Sequence, residues 1–322
     1  MKRYDNVNNF LELSCKRILN EESCIKSTNN ANKNTIKEEL IELPFQFFCI
    51  ENPYNTIFNL KTFRTIPWWM VGEILTEFLN LNPPLMNKYS PNIINEMYKL
   101  TPQGTCEYLY GSRWFEHNQL ENIRKKLIEN PNSKKCIIQT FMPYDSEEQR
   151  NDAPCNCSYM LLSRNNVLNL TAVIRSNDLL RGVKYDYFLA SFMLQSIANW
   201  CDLKVGKLYF YINSLHVYKQ DIDKVNLVLD ELKTNSNIIS LQLKCYKEHY
   251  WNDLRHIKKA EEAVYNGNFD YFEKNLNDIK SPTFRDFTRI IGIKNVRTLG
   301  NQDKKTLYFE SIEDKSIKKW MI

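Results

Sequence analysis

Apolar and polar positions along the chain follow two different periods, and the switches between them mark out the elements. From Ile41 to Ile50 the run IELPFQFFCI is strand-like, and ENPYNT after it predicts a turn. Pro67 then opens WWMVGEILTEFLNL, where Trp69, Val71, Ile74, Leu75, Phe78 and Leu79 form one helical stripe, stopped by Pro83 and Pro84. A second helix fits HNQLENIRKKLIEN (117–130), with Leu120, Ile123 and Leu127 on one face. Period two returns in KKCIIQTFMP (134–143), and SYMLLSRNNVLNLTAVIRS (158–176) reads as two strands about the turn pair Asn165-Asn166. YDYFLASFMLQSIANWC (185–201) is apolar nearly all round, which predicts a buried helix. GKLYFYINSLHVYKQD (206–221) is again a strand, and beyond Tyr246 the chain becomes charged and helical, as in NDLRHIKKAEEAVYNG (252–267).

The polar, Asn-rich residues 20–37 read as an exposed loop or linker. No internal repeat is visible. The expected class is α/β (α+β): a mixed or mostly antiparallel sheet flanked by helices, with a helical C-terminal segment.

Composition narrows the functions. The 322 residues are 43% hydrophobic and 13% aromatic, which describes a folded chain. A net charge of +5, from 43 basic and 38 acidic side chains, suits an anionic small molecule and is too weak to argue for nucleic acid, so no nucleic-acid partner is expected. The nine cysteines have no regular spacing, so we expect reduced thiols in a cytoplasmic protein rather than a disulfide framework. MKRYDNVNNF lacks the apolar core of a secretory signal, and no run of 18 apolar residues predicts a membrane span. Cys155-x-Cys157 has no second thiol or histidine pair at zinc spacing, so no metal is expected. No glycine-rich phosphate loop of the GxGxxG or GxxxxGK[ST] kind is present.

The informative signal is a series of separate stretches in fixed order: GEILTEFL with Glu73, YGSRW with Tyr110, NPNSKK with Lys134 and Lys135, APC with Cys155, RSNDLLRGVKYD, and NSLHVY. This series resembles the thymidylate synthase family, which includes the pyrimidine nucleotide hydroxymethylases. The resemblance spans residues 64–221; residues 1–40 and 247–322 match poorly. On that basis residues 41–246 are expected to be the catalytic core, between a divergent N-terminal segment (1–40) and a divergent helical C-terminal part (247–322) of the same domain.

The resemblance implies folate-dependent one-carbon transfer to carbon 5 of a pyrimidine nucleotide, with 5,10-methylenetetrahydrofolate as co-substrate. Carbon 5 is a poor nucleophile, and a thiolate adding to carbon 6 makes it a good one. Cys155 would be that thiolate. Arg175 would lower its pKa and, with Ser176, hold the phosphate. Glu73 would move protons through water and Tyr110 would order the site. Lys134 and Lys135 match a basic pair that reaches the phosphate from the neighbouring subunit, which implies a homodimer with shared sites. As lysines they lack the bidentate fork of the arginines usual there. His216 and Tyr218 match a pair that hydrogen-bonds the sugar, while Asp178 and Gly182 match folate-contacting positions. Other readings stay open from the residues alone: a solvated helix position for Glu73, and a satisfied core position for His216.

Asp186 stands where thymidylate synthases carry an Asn that reads uracil. A carboxylate suits the exocyclic amine of cytosine, as in hydroxymethylases acting on cytidylate, so hydroxymethylation of dCMP or CMP is the leading expectation. A helix cap is the structural alternative for this residue. Methylation of dUMP is the second reading, and a catalytically silent nucleotide-binding homologue is a third. Two departures from the pattern concern phosphate and tail: Tyr54 occupies a position where related sequences often have Arg, with Arg64 nearby, and SIKKWMI ends in Ile without a matching segment before it.

Overall fold

A computed structural model describes residues 1–21, 24–29, 38–90, 105–106, 109–147, 153–234 and 238–322. The chain divides into two units, each built from two stretches of sequence: residues 1–65 with 118–240, and residues 66–117 with 241–322.

The first unit holds the sheet. Its strands are β1 (Lys2–Tyr4), β2 (Ile25–Asn29), β3 (Glu38–Ile50), β4 (Ile137–Gln139), β5 (Asn156–Arg164), β6 (Val167–Asp178) and β7 (Lys204–Tyr218). The order is β1-β3-β7-β6-β5-β4, with β2 also pairing β3. The sheet is mixed: β1–β3 and β6–β7 run parallel, and the other pairs antiparallel. The β5–β6 hairpin turns at Asn165 and Asn166, whose φ values of 51° and 60° are those of a two-residue type I′ turn, tolerated by Asn.

Alternation along β7 buries Leu208, Phe210 and Ile212 on one face and turns Tyr209 and Tyr211 to the other. The inner face packs against the Val183–Trp200 helix, whose nearly unbroken apolar surface is therefore buried. There Tyr187 stacks on Phe210 at 4.2 Å, and Phe210 on Phe48 at 5.3 Å between ring centres. The helix Val7–Leu19 packs on β3 and against the helix Ile222–Thr234.

The second unit is helical among its described residues. The helix Pro67–Phe78 packs on the Tyr110–Glu116 helix, on the 3-10 turn Leu85–Lys88 and on the helix Pro282–Thr298. The helices Tyr250–Tyr265, Phe269–Asp278, Gln302–Glu310 and Lys315–Met321 complete it. Two buried aspartates join its loops: Asp253 accepts from the backbone of Lys280 and Ser281, and Asp286 from that of Glu313 and Asp314. No helix among the described residues is long and apolar enough to cross a membrane.

Two expectations are corrected. Residues 134–143 are not one strand; only Ile137–Gln139 pairs with β5. The ladder ends because the N–H groups of Thr140 and Phe141 both turn to the carbonyl of Cys157, and Pro143 begins a 3-10 turn. Within the polar stretch 20–37, Ile25–Asn29 is a strand paired antiparallel with Glu38–Glu42, since backbone pairing at a sheet edge needs no apolar side chains. Residues 22–23 and 30–37 lie outside the described residues.

Candidate active site

Cys155 sits in the bend that feeds β5 and is half-buried. The guanidinium of Arg175, across on β6, donates from Nε to the carbonyl of Pro154 (2.9 Å) and from Nη2 to that of Ala153 (2.6 Å). The Arg175 backbone N–H donates to the Cys155 carbonyl at 2.9 Å. One arginine thus fixes three successive carbonyls around the thiol and keeps a full positive charge in the same turn. Two of the five guanidinium N–H groups serve this clamp.

Cys157 is differently placed. The β5–β6 register slips between Asn156 and Ser158, so Cys157 is the extra residue of a bulge. Burial pushes its thiol up, against the opposing pull of Arg175.

Beyond Arg175, β6 carries Ser176, Asn177 and Asp178, level with Ser214, Leu215 and His216 on β7. His216 is buried, its ring 5.7 Å edge-to-face from Tyr218, and its Nδ1 has no hydrogen-bond partner among the described residues. Burial pushes its pKa down, although Asp178 and Glu42 oppose this, so the imidazole is neutral near pH 7. Asp178 Oδ1 accepts from the backbone N–H groups of Leu180 (2.8 Å) and Arg181 (2.9 Å), and its Oδ2 pairs with Arg181 Nη1 at 3.0 Å. Arg181 also reaches Asp221 at 2.7 Å and lies 4.6 Å over the Tyr218 ring.

Asp186 lies in the first turn of the Val183–Trp200 helix and is joined to β6, where Asn177 Nδ2 donates to its Oδ2 at 2.5 Å. Burial raises the Asp186 carboxyl to about 7, against the lowering effect of that bond. Gly182 packs closely against this pair: a Cβ there would come 3.1 Å from Asn177 Nδ2 and 3.2 Å from Asp186 Oδ2, so the two side chains would have to shift slightly. Lys134 and Lys135 are exposed, in the loop between Glu129 and β4. Arg64 is partly buried, and that burial lowers its pKa.

The first unit therefore brings Cys155, Arg175, Ser176, Asp178, Gly182, Asp186, His216 and Tyr218 to the region of the β5, β6 and β7 ends and the helix that follows β6. Glu73 and Tyr110 belong to the second unit, on two helices packed together. Sequence reasoning passed over three side chains among them: Asn177, Arg181 and Glu77. Glu77 alone carried a signal, as a second carboxylate one helical turn beyond Glu73 in a mostly apolar segment.

The model of the family described as "Thymidylate synthase" matches residues 10–276. The chain belongs to the thymidylate synthase family. It is 26% identical over 176 residues to a thymidylate synthase of Francisella tularensis subsp. holarctica, covering 49% of this chain and 61% of that protein. Against a thymidylate synthase of Buchnera aphidicola subsp. Acyrthosiphon pisum it is 26% identical over 165 residues, covering 48% of this chain and 58% of that one. The chain thus spans about three fifths of the length of the curated relatives it matches. Its fold is similar to that of the thermostable thymidylate synthase A of Bacillus subtilis, with TM-score 0.57 and 19% identity over 70% of this chain and 84% of that one. The thymidylate synthase fold is thus the architecture of this chain, with the family match reaching beyond the motif series at both ends.

Proposed function

We propose that this thymidylate synthase family member transfers one carbon from a folate to carbon 5 of a pyrimidine nucleoside monophosphate, through a covalent adduct of Cys155. The observation that carries this reading is the clamp of Arg175 on the turn that holds Cys155. A cation clamped to the turn that carries a half-buried thiol would favour the thiolate, the form that adds to carbon 6. Arg175, the Ser176 hydroxyl, and Lys134 and Lys135 from a second subunit would hold the phosphate. His216, kept neutral, and Tyr218 would hold the sugar hydroxyl, and Glu73 and Tyr110 would serve proton transfer and order. The co-substrate, 5,10-methylenetetrahydrofolate, supplies the one-carbon unit at the oxidation level of formaldehyde. The Asp178 carboxylate suits the N–H donors of its ring, although it is already paired with Arg181. Nine free thiols suit a reducing compartment, the cytoplasm.

For the base, we read Asp186 as the selector of cytidylate. Its ionised form accepts from the exocyclic amine, and Asn177 holds one of its oxygens in place. The product is then the 5-hydroxymethyl nucleotide. A second reading, methylation of dUMP, is favoured by the names of the two curated relatives described above, both thymidylate synthases. It is also favoured by the Asp186 pKa of about 7, since a neutral carboxyl can donate to O4 of uracil.

Product mass after incubation with methylenetetrahydrofolate and dCMP, CMP or dUMP tests both readings. A gain of CH₂O on a cytidylate supports hydroxymethylation, and a gain of CH₂ on dUMP supports the second reading. No product from any of the three would sink the enzymatic assignment.

A further inference from the structure

Glu77 is 1% exposed, on a helix whose other buried residues are apolar apart from Thr76. It lies one helical turn beyond Glu73, on the same face. Its Oε2 accepts from the backbone N–H of Gly111, the residue next to Tyr110. The two helices meet closely at this point: a Cβ on Gly111 would lie 2.8 Å from the Glu77 Cα and carbonyl carbon, so only glycine fits. That N–H is one of the donors at the start of the Tyr110–Glu116 helix that the helix itself does not satisfy.

We propose that Glu77 is a positioning residue for the one-carbon transfer, docking the Tyr110 turn onto the helix that carries Glu73. This rests on the reading of Glu73 and Tyr110 given above and adds to it the group that sets the two in mutual register. A carboxyl serves here in its neutral form. Burial and the charge of Glu73 hold it well above the usual carboxylate range, and the Gly111 N–H only partly opposes them.

Other ionisable groups stand on the packed elements: Tyr110, Arg113 and Glu116 on the Tyr110 helix, Lys88 on the 3-10 turn, and Arg285, Asp286, Arg289, Lys294 and Arg297 on Pro282–Thr298. Lys88 is paired with Glu261, Arg289 with Asp286 and Glu313, and Arg285 with Glu313. Lys294 lies 4.5 Å over the Trp68 ring. The charge that acts on the Glu77 carboxyl is that of Glu73.

The sign of the pH effect follows from a raised folded-state pKa. Stability contributed by neutral Glu77 is complete below the unfolded carboxyl pKa and falls as pH rises toward the folded value. Ionisation would also place a second negative charge beside Glu73.

The test compares wild type, Glu77→Gln and Glu77→Leu as full chains. Gln keeps an acceptor for Gly111 and cannot ionise; Leu keeps the volume and removes the acceptor. In urea unfolding from pH 5 to 8, the wild-type unfolding constant should rise by up to about tenfold per pH unit relative to Glu77→Gln. In tritium release from carbon 5 of dCMP or dUMP, Glu77→Leu should show at least a tenfold lower kcat than Glu77→Gln, with nucleotide KM within about twofold. The alkaline fall of wild-type kcat should flatten in Glu77→Gln. Identical pH profiles together with equal kcat in all three proteins overturn the proposal. Should wild type release no tritium from any nucleotide, the one-carbon reading fails by itself. Docking is then decided by amide hydrogen exchange at Gly111: at least tenfold faster exchange in Glu77→Leu than in the other two supports it, and equal exchange overturns it.

Discussion

The Asp186 carboxyl, raised to about 7, is part ionised and part neutral at physiological pH. Ionised, it accepts from a cytosine amine; neutral, it donates to a uracil O4. The ratio of kcat/KM for dCMP over dUMP should therefore rise as pH increases from 6 to 8. In Asp186→Asn that dependence should vanish and preference should move toward dUMP. Leaving a buried polar group unpaired costs about 1–3 kcal/mol, which corresponds to roughly tenfold to a hundredfold in preference. A wild-type ratio that is flat across this range would reduce Asp186 to a helix-start residue. The same raised pKa makes Asp186 a stabilising group in acid that loses its contribution as pH climbs from about 4 to 7. The identity of Asp186 was legible in the sequence because its place in RSNDLLRGVKYD is local. Its partnership with Asn177 was not, since that bond joins the end of a strand to the start of the next helix.

At the scale of elements, the two periods in the sequence located β3, both arms of the β5–β6 hairpin, β7 and the Val183–Trp200 helix, because each buries one continuous face. The bulge at Cys157 left no such mark, being a property of the pairing between β5 and β6. Simple alternation would place Cys155 and Cys157 on the same side of the strand; an extra residue at 157 breaks that equivalence. The clamp on the Ala153 and Pro154 carbonyls further singles out Cys155. Cys155→Ser should abolish tritium exchange from carbon 5, whereas Cys157→Ser should retain it. Comparable loss in both variants would break the assignment of the nucleophile.

On the whole molecule, the outer face of the sheet exposes Phe47 (46%), Met160 (41%), Leu162 (43%) and Tyr211 (40%), an apolar patch reaching across β3, β7 and β5. Patches of this kind are covered by partners. We expect a second copy to do so, forming the homodimer that the shared-site reading of Lys134 and Lys135 requires. Met160→Asp with Leu162→Asp should give a monomer in sedimentation. Mixing Cys155→Ser with a variant in which both lysines are Ala should recover about a quarter of wild-type activity through hybrid dimers. A monomeric wild type at micromolar concentration would remove both expectations. The interleaving of the two units bears on how the chain is made. The helices bearing Glu73 and Tyr110 leave the ribosome early, yet the Pro282–Thr298 helix that covers the first of them is synthesised only after the whole sheet. Their apolar faces must wait through that interval, and closing so long a loop adds little entropy but much delay. Nascent chains halted before residue 282 should therefore be the ones that chaperones hold.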